Sequence, residues 1–427
     1  MPDGGYARSV LFPDHQDADL AREAAQLRKA FKDTKFLRTA ANGASPQPEI
    51  SYIRHDTKLR AVLDSVLVGY QYTPDSNKNE PRPIEEIRRL AGRVEAFVTF
   101  SPAIECRTIQ TQAAGKQSKY VIAISAFAVD LMAQIAYATP HLIDYYDARS
   151  DMQQDVLSEL FQAGKRGPYT RVQSRFLRGL EAVGVVDKSV SSYLRSRDTE
   201  GAEIPVDMVG RLEHGPDEQK AASGKIYHTC AAFLLAHELH HIEGGHFFED
   251  HPLAKGLSFI DHMDPEQRRE TEADCAAFTI TLNSMITSFD DGQGKTYTPD
   301  FGQLRKYRPY GRTRILPGPR RRQQRALFDR RLLRSSLQEA ACAMLSFYAA
   351  KEILAATAQR EGRTEEAGQL SGIIERRNAV RLYADVLIKQ MMRVWDMERG
   401  PWEFRSNVIF GLPDWNHMDS YVRDFVS

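Results

Sequence analysis

The stretch Tyr120–Ala138, YVIAISAFAVDLMAQIAYA, changes its periodicity part-way along and divides the chain into two kinds of structure. Tyr120 to Ser125 is a short apolar run of strand length, whereas the apolar positions from Ala126 onward recur at helical spacing. Upstream, Glu95–Phe100 and Ile104–Gln112 also read as strands, and Ala113–Ser118 (AAGKQS) reads as the hairpin loop between the second and third. Downstream, helices are expected near 126–138, 151–163, 169–183, 218–243, 266–289, 336–360 and 365–398. In the last two, Leu337, Ala341, Met344 and Tyr348, and then Leu370, Ile374, Leu387 and Met391, form the stripes expected to be buried. The predicted fold is therefore mostly α with a small antiparallel or mixed β-sheet, an α+β protein. Asp130 and Gln134 interrupt the opening stretch, so neither it nor any less apolar segment reads as a membrane span.

Toward the N-terminus, Leu20, Ala24, Leu27 and Phe31 mark an amphipathic helix, and Ile84, Ile87 and Leu90 mark a second, shorter one. TPDSNKNEPRP, residues 73–83, lies between them and reads as a linker. These breaks divide the chain into a helical N-terminal arm with its linker (1–80), a central core (81–300), an Arg-rich segment (301–335) and a C-terminal helical region (336–427). No internal repeat is visible.

The 427 residues are 42% hydrophobic and 27% charged, which argues against global disorder. Lys+Arg and Asp+Glu both number 57, so an overall polybasic nucleic-acid binder is excluded. Cys106, Cys230, Cys275 and Cys342 are far apart and fit reduced thiols, and MPDGGYARSVLFPDH lacks the apolar core of a secretory signal. Both observations lead to a cytoplasmic expectation.

Seven of the 12 histidines fall between His228 and His262. Among them is His237-Glu238-Leu239-His240-His241, an HExxH sequence preceded by the apolar run AAFLLA. On a helix, His237 and His241 share a face and can present both imidazoles to one metal ion, while Glu238 serves as a base toward water. Gly244-Gly245 stops the helix. Further along, Glu270-Thr271-Glu272-Ala273-Asp274 opens a second apolar helix. Glu270 and Asp274 are again one turn apart, so one can bind metal while the other accepts an N–H from a ligand histidine. His246 and Glu272 are the competing third ligands. His246 falls one residue short of its place in HExxHxxGxxH, and Glu272 breaks the one-turn pairing.

HExxH followed by ExxAD on a second helix resembles the gluzincin metallopeptidases, particularly the group that includes the CAAX-prenyl proteases and small soluble relatives. Without membrane spans, the chain is similar to the soluble phage-exclusion Lit peptidase type. The resemblance implies a metallopeptidase core with helical arms that narrow the cleft, and Zn2+ at His237, His241 and Glu270. It implies Glu238 as general base and Asp274 as the acceptor that orients a ligand histidine. A protein or peptide substrate and a regulated role such as antiviral defence follow from the same resemblance. It further implies that YVIAIS and the helix after it form the upper edge of the cleft, with the exposed strand edge binding substrate. Such a site needs a phenolic oxyanion donor, for which Tyr307 and Tyr310 are candidates.

Each motif also has a plainer meaning. The His237/Glu238/His241 set can be a structural group on a core helix, in a protein that binds nucleic acid or a partner through its Arg-rich segment. His240 lies off the ligand face, and His228, His251 and His262 read as ordinary polar histidines. Cys230 and Cys275 read as small core residues. Leu304–Arg334 holds twelve basic residues against Asp329 alone, a local charge of +11, with Arg320, Arg321 and Arg322 as its densest run. Such a block contacts nucleic acid, an acidic partner or the protein's own acidic face.

Overall fold

In this computed structural model, β3 (Lys119–Ser125) is the middle strand of a three-stranded sheet. The structure describes residues 48–71, 82–99, 106–111, 119–125, 128–129, 131–136, 184, 217–244, 258–287, 289–290, 296–297, 320–360, 362 and 370–394. On one side of β3, β1 (Val94–Thr99) runs parallel, with Val94 opposite Tyr120 and Thr99 opposite Ser125. On the other, β2 (Cys106–Thr111) runs antiparallel, with Cys106 opposite Ile124 and Thr111 opposite Lys119. All six residues from Tyr120 to Ser125 are buried, which explains why they read as an unbroken apolar run rather than an alternating one.

The three expected strands and the antiparallel pairing of the second with the third are present, with ends displaced by up to two residues. One expectation needs correction. YVIAIS has no exposed edge, because both of its edges are paired; β2 is the strand at the sheet margin nearest the HExxH helix.

Helices account for most of the described chain. α1 (Pro48–Gln71) and α2 (Ile84–Ala91) precede the sheet, and residues 128–129 and 131–136 are helical. α3 (Asp217–Glu243), α4 (Pro265–Thr287), α5 (Arg320–Arg360) and α6 (Leu370–Val394) follow. A two-stranded ribbon, β4 (Phe289–Asp290) with β5 (Thr296–Tyr297), lies between α4 and α5.

α3 is the central helix, touching α1, α4, α5, β2 and β3. Cys230 through Ala236 and Leu239 are all buried, so this segment is apolar around its whole circumference rather than striped. Gly244 N–H donates to His240 C=O at 2.7 Å at its end, where the Gly pair was expected to stop it. α4 begins with Asp264 as its cap: Oδ1 accepts from the N–H groups of Glu266 and Gln267 at 3.0 and 2.9 Å, with Pro265 in the first turn.

α1 falls within the arm expected to be helical, although no separate helix is expected at its position; its Leu59, Leu63, Val66, Leu67 and Tyr70 carry a helical spacing and all are buried. The helix expected around Leu20–Phe31 lies outside the described residues. So do the helices expected at 151–163 and 169–183, apart from Gly184 just beyond. α1 packs on α4 so closely at Gly69 that a Cβ there would sit 2.4 Å from the Ile280 carbonyl oxygen. Only glycine permits that approach.

One core cluster contains residues of α1, the sheet, α3, α4, α5 and α6, so the N-terminal and C-terminal helices share the interior of the central segment. The polar stretch read as a linker falls mostly outside the described residues. Its flanks meet, however, because Arg82 N–H donates to Gln71 C=O at 2.8 Å. Glu339–Gln359 on α5 is long and apolar enough to cross a membrane, contrary to the expectation that no segment is. Within an 18-residue window of it, 83% is buried inside the protein, as in a core helix.

Candidate metal centre

Burial of α3 on every side places its last two turns, and with them His237 and His241, against α4. The two imidazole Nε2 atoms are 3.0 Å apart. Across the gap, Glu270 presents Oε1 at 3.2 Å from His241 Nε2 and Oε2 at 3.6 Å from His237 Nε2. One ligand atom from each of the three residues lies within 4.8 Å of the others, so this group could hold a metal ion. Two imidazole nitrogens and one carboxylate oxygen form a donor set suited to a divalent transition metal.

Asp274, one turn beyond Glu270, is fully buried. Its Oδ1 lies 2.9 Å from His237 Nδ1. An ionised carboxylate only accepts, so Nδ1 carries the proton and Nε2 is left to face the other ligands. Asp274 Oδ2 accepts from the Tyr348 hydroxyl of α5 and from Arg376 Nη2 of α6, the latter at 2.7 Å. The same Arg376 nitrogen lies 3.2 Å from Glu270 Oε2. One guanidinium therefore holds both carboxylates of the α4 pair.

The electrostatics follow from this crowding. Burial alone would raise the Asp274 carboxyl, but Arg376 and the bond to His237 outweigh it and hold it well below the usual carboxylate range. Burial is likewise outweighed at Glu270, which His241, His237 and Arg376 hold far below its ordinary value. For His237, burial favours the neutral ring, yet the hydrogen bond and charge of Asp274, with Glu270 and Glu238, raise its pKa. The Tyr348 hydroxyl is pushed well up by burial and by the Asp274 charge, so it remains a donor.

Glu238 faces a different neighbour. Its Oε2 accepts from Thr108 Oγ1 of β2 at 2.5 Å, tying the HExxH helix to the marginal strand of the sheet. Cys106, two residues earlier on the same face of β2, is a protonated thiol, because burial and the nearby Glu238 charge raise it well above its ordinary value. Lys351 adds a cation nearby, with Nζ 4.4 Å from the Phe347 ring centroid; that ring is 6.3 Å from His237.

The structure thus brings together His237, His241, Glu270 and Asp274, with Glu238 alongside. Glu272 is directed elsewhere, pairing with Arg268 at 3.5 Å. His246, His251, Tyr307 and Tyr310 lie outside the described residues. Arg320, Arg321 and Arg322 form the first turn of α5, and their side chains are likewise outside them. His228 is an ordinary core-side histidine whose burial lowers its pKa to about 4, and His262 pairs with Glu375 at 3.1 Å away from the site. Cys230 and Cys275 are free and buried, as small core residues.

Three residues were missed: Thr108, Tyr348 and Arg376. Tyr348 stood in the α5 stripe but was read only as core, and nothing in the local pattern of Thr108 or Arg376 distinguishes them. No protein-family model, curated protein or solved structure matches this chain.

Proposed function

We propose that the chain is a zinc-dependent endopeptidase that hydrolyses peptide bonds of a protein substrate. The observation that carries this reading is the convergence of His237, His241 and Glu270 beside a base, Glu238, anchored to the margin of a sheet. Three protein ligands leave a tetrahedral ion one open position, the arrangement of catalytic rather than structural zinc. When bound, zinc supplies a Lewis acid for the scissile carbonyl and makes water at that position more acidic.

The chain's own residues perform the remaining tasks. Asp274 keeps the His237 proton on Nδ1 and so keeps Nε2 available as a ligand. Thr108 holds Glu238 Oε2, fixing the carboxylate that takes a proton from the attacking water and passes it to the leaving amine. Among the described residues, β2 pairs only with β3. An extended peptide adding to its other side would run past Glu238, with main-chain hydrogen bonds providing register.

Metal analysis of the purified protein should find about one zinc per chain. Glu238→Gln should keep that zinc and abolish cleavage of an unfolded protein substrate. Wild-type protein that takes up no divalent metal, or a Gln variant that cleaves as fast as wild type, would sink the proposal.

A further inference from the structure

The α4 carboxylate pair has a counter-charge of its own. Glu270 and Asp274 are held from α6 by one nitrogen of Arg376, whose side chain is only 11% exposed. Glu238 is a third carboxylate within range of His237. These three acidic side chains, with Asp274 and Glu238 nearly inaccessible and Glu270 one-third exposed, repel one another and favour opening of the α3–α4 contact unless cations compensate them. A divalent metal is one source of compensation. Arg376 is another, and it comes with the fold.

We infer that Arg376 is the resident counter-charge of the metal centre, a positioning residue that lets the site assemble before the ion arrives. The inference rests on the metal reading of this site. It makes the guanidinium and the divalent ion partial substitutes, each neutralising Glu270 and Asp274 when the other is absent. Wild-type protein should fold without metal. A chain lacking this charge should depend on metal for part of its stability.

The neighbouring residue provides the control. Arg377 also joins α6 to α5, but its 3.0 Å ion pair is with Glu352. Arg377→Gln therefore loosens α6 while keeping the Arg376 pairs with Glu270 and Asp274. Arg376→Lys tests charge against shape. Because a single nitrogen makes both contacts, an ammonium should replace part of what the guanidinium does.

The experiment is thermal unfolding of the full chain, stripped of metal and at saturating zinc, for wild type, Arg376→Gln, Arg376→Lys and Arg377→Gln. Without metal, Arg376→Gln should lower Tm on the order of 10 °C. At saturating zinc the gap to wild type should narrow to roughly half, which requires a larger zinc-induced rise in Tm for the variant than for wild type. Arg376→Lys should fall between the two. Arg377→Gln should lower Tm with and without zinc alike, leaving the zinc-induced rise at the wild-type value.

An equal zinc-induced rise in Arg376→Gln and wild type overturns the inference, as does an equally enlarged rise in Arg377→Gln. If Arg376→Gln cannot be isolated without metal, its refolding on adding zinc supports the inference, and failure to refold while Arg376→Lys behaves as wild type overturns it. Absence of any zinc effect on wild type removes the metal reading itself and is distinguishable from all of these.

Discussion

Asp274 and Glu238 are both nearly inaccessible carboxylates beside His237, at 0% and 7% exposure, yet the walls that hold them are built differently. Asp274 is walled in by helices, and its carboxylate accepts from His237 of α3, Tyr348 of α5 and Arg376 of α6. The Glu238 wall is a strand at the sheet margin, where Thr108 holds a single oxygen. A carboxylate enclosed by fixed donors is suited to orienting a ligand and poorly suited to exchanging protons. Under the proposed function, the one held by a single hydroxyl beside the sheet margin is the one that moves them. Residue type is nearly the same in both; it is the surroundings that differ.

Four substitutions test that contrast. Glu238→Gln should cost the most activity, about 10²- to 10⁴-fold in kcat/KM, while leaving urea-unfolding stability and zinc content close to wild type. Asp274→Ala should do the reverse in kind. It leaves Arg376 short of its closest acceptor inside the protein, so stability measured by urea unfolding should fall by about 3–5 kcal/mol, and zinc affinity by roughly ten- to a hundredfold. Comparable stability losses in these two variants would erase the distinction between the walls. Tyr348→Phe removes one of the three donors to Asp274 while Arg376 and His237 remain, and should cost about 1–2 kcal/mol in the same measurement. The smallest effect belongs to Thr108→Val. It should lower kcat/KM by about tenfold with no change in a zinc titration, as expected for loss of one hydrogen bond to a charged group. A changed zinc affinity in that variant would mean that the β2 wall supports the ion as well.

Much of the site was legible because helices repeat. His237 with His241, and Glu270 with Asp274, are pairs whose shared face follows from 3.6 residues per turn. The three-stranded sheet was legible from apolar runs and a turn. The strand at its margin was misjudged, because an unbroken apolar run such as Tyr120–Ser125 belongs to a strand covered on both faces and, in this sheet, paired on both edges. α1 carries a readable stripe within the arm expected to be helical, just before the polar stretch that follows it.

The sequence by itself determined which candidate residues share a helix face, since His237 and His241, and Glu270 and Asp274, are each one turn apart on one of two helices. Only the tertiary structure decided what holds them. Thr108, Tyr348 and Arg376 reach their carboxylates from 130, 74 and 102 residues away. No local periodicity records such distances. They are set by which helices pack on α3 and α4, and that packing depends on the shape of the whole core.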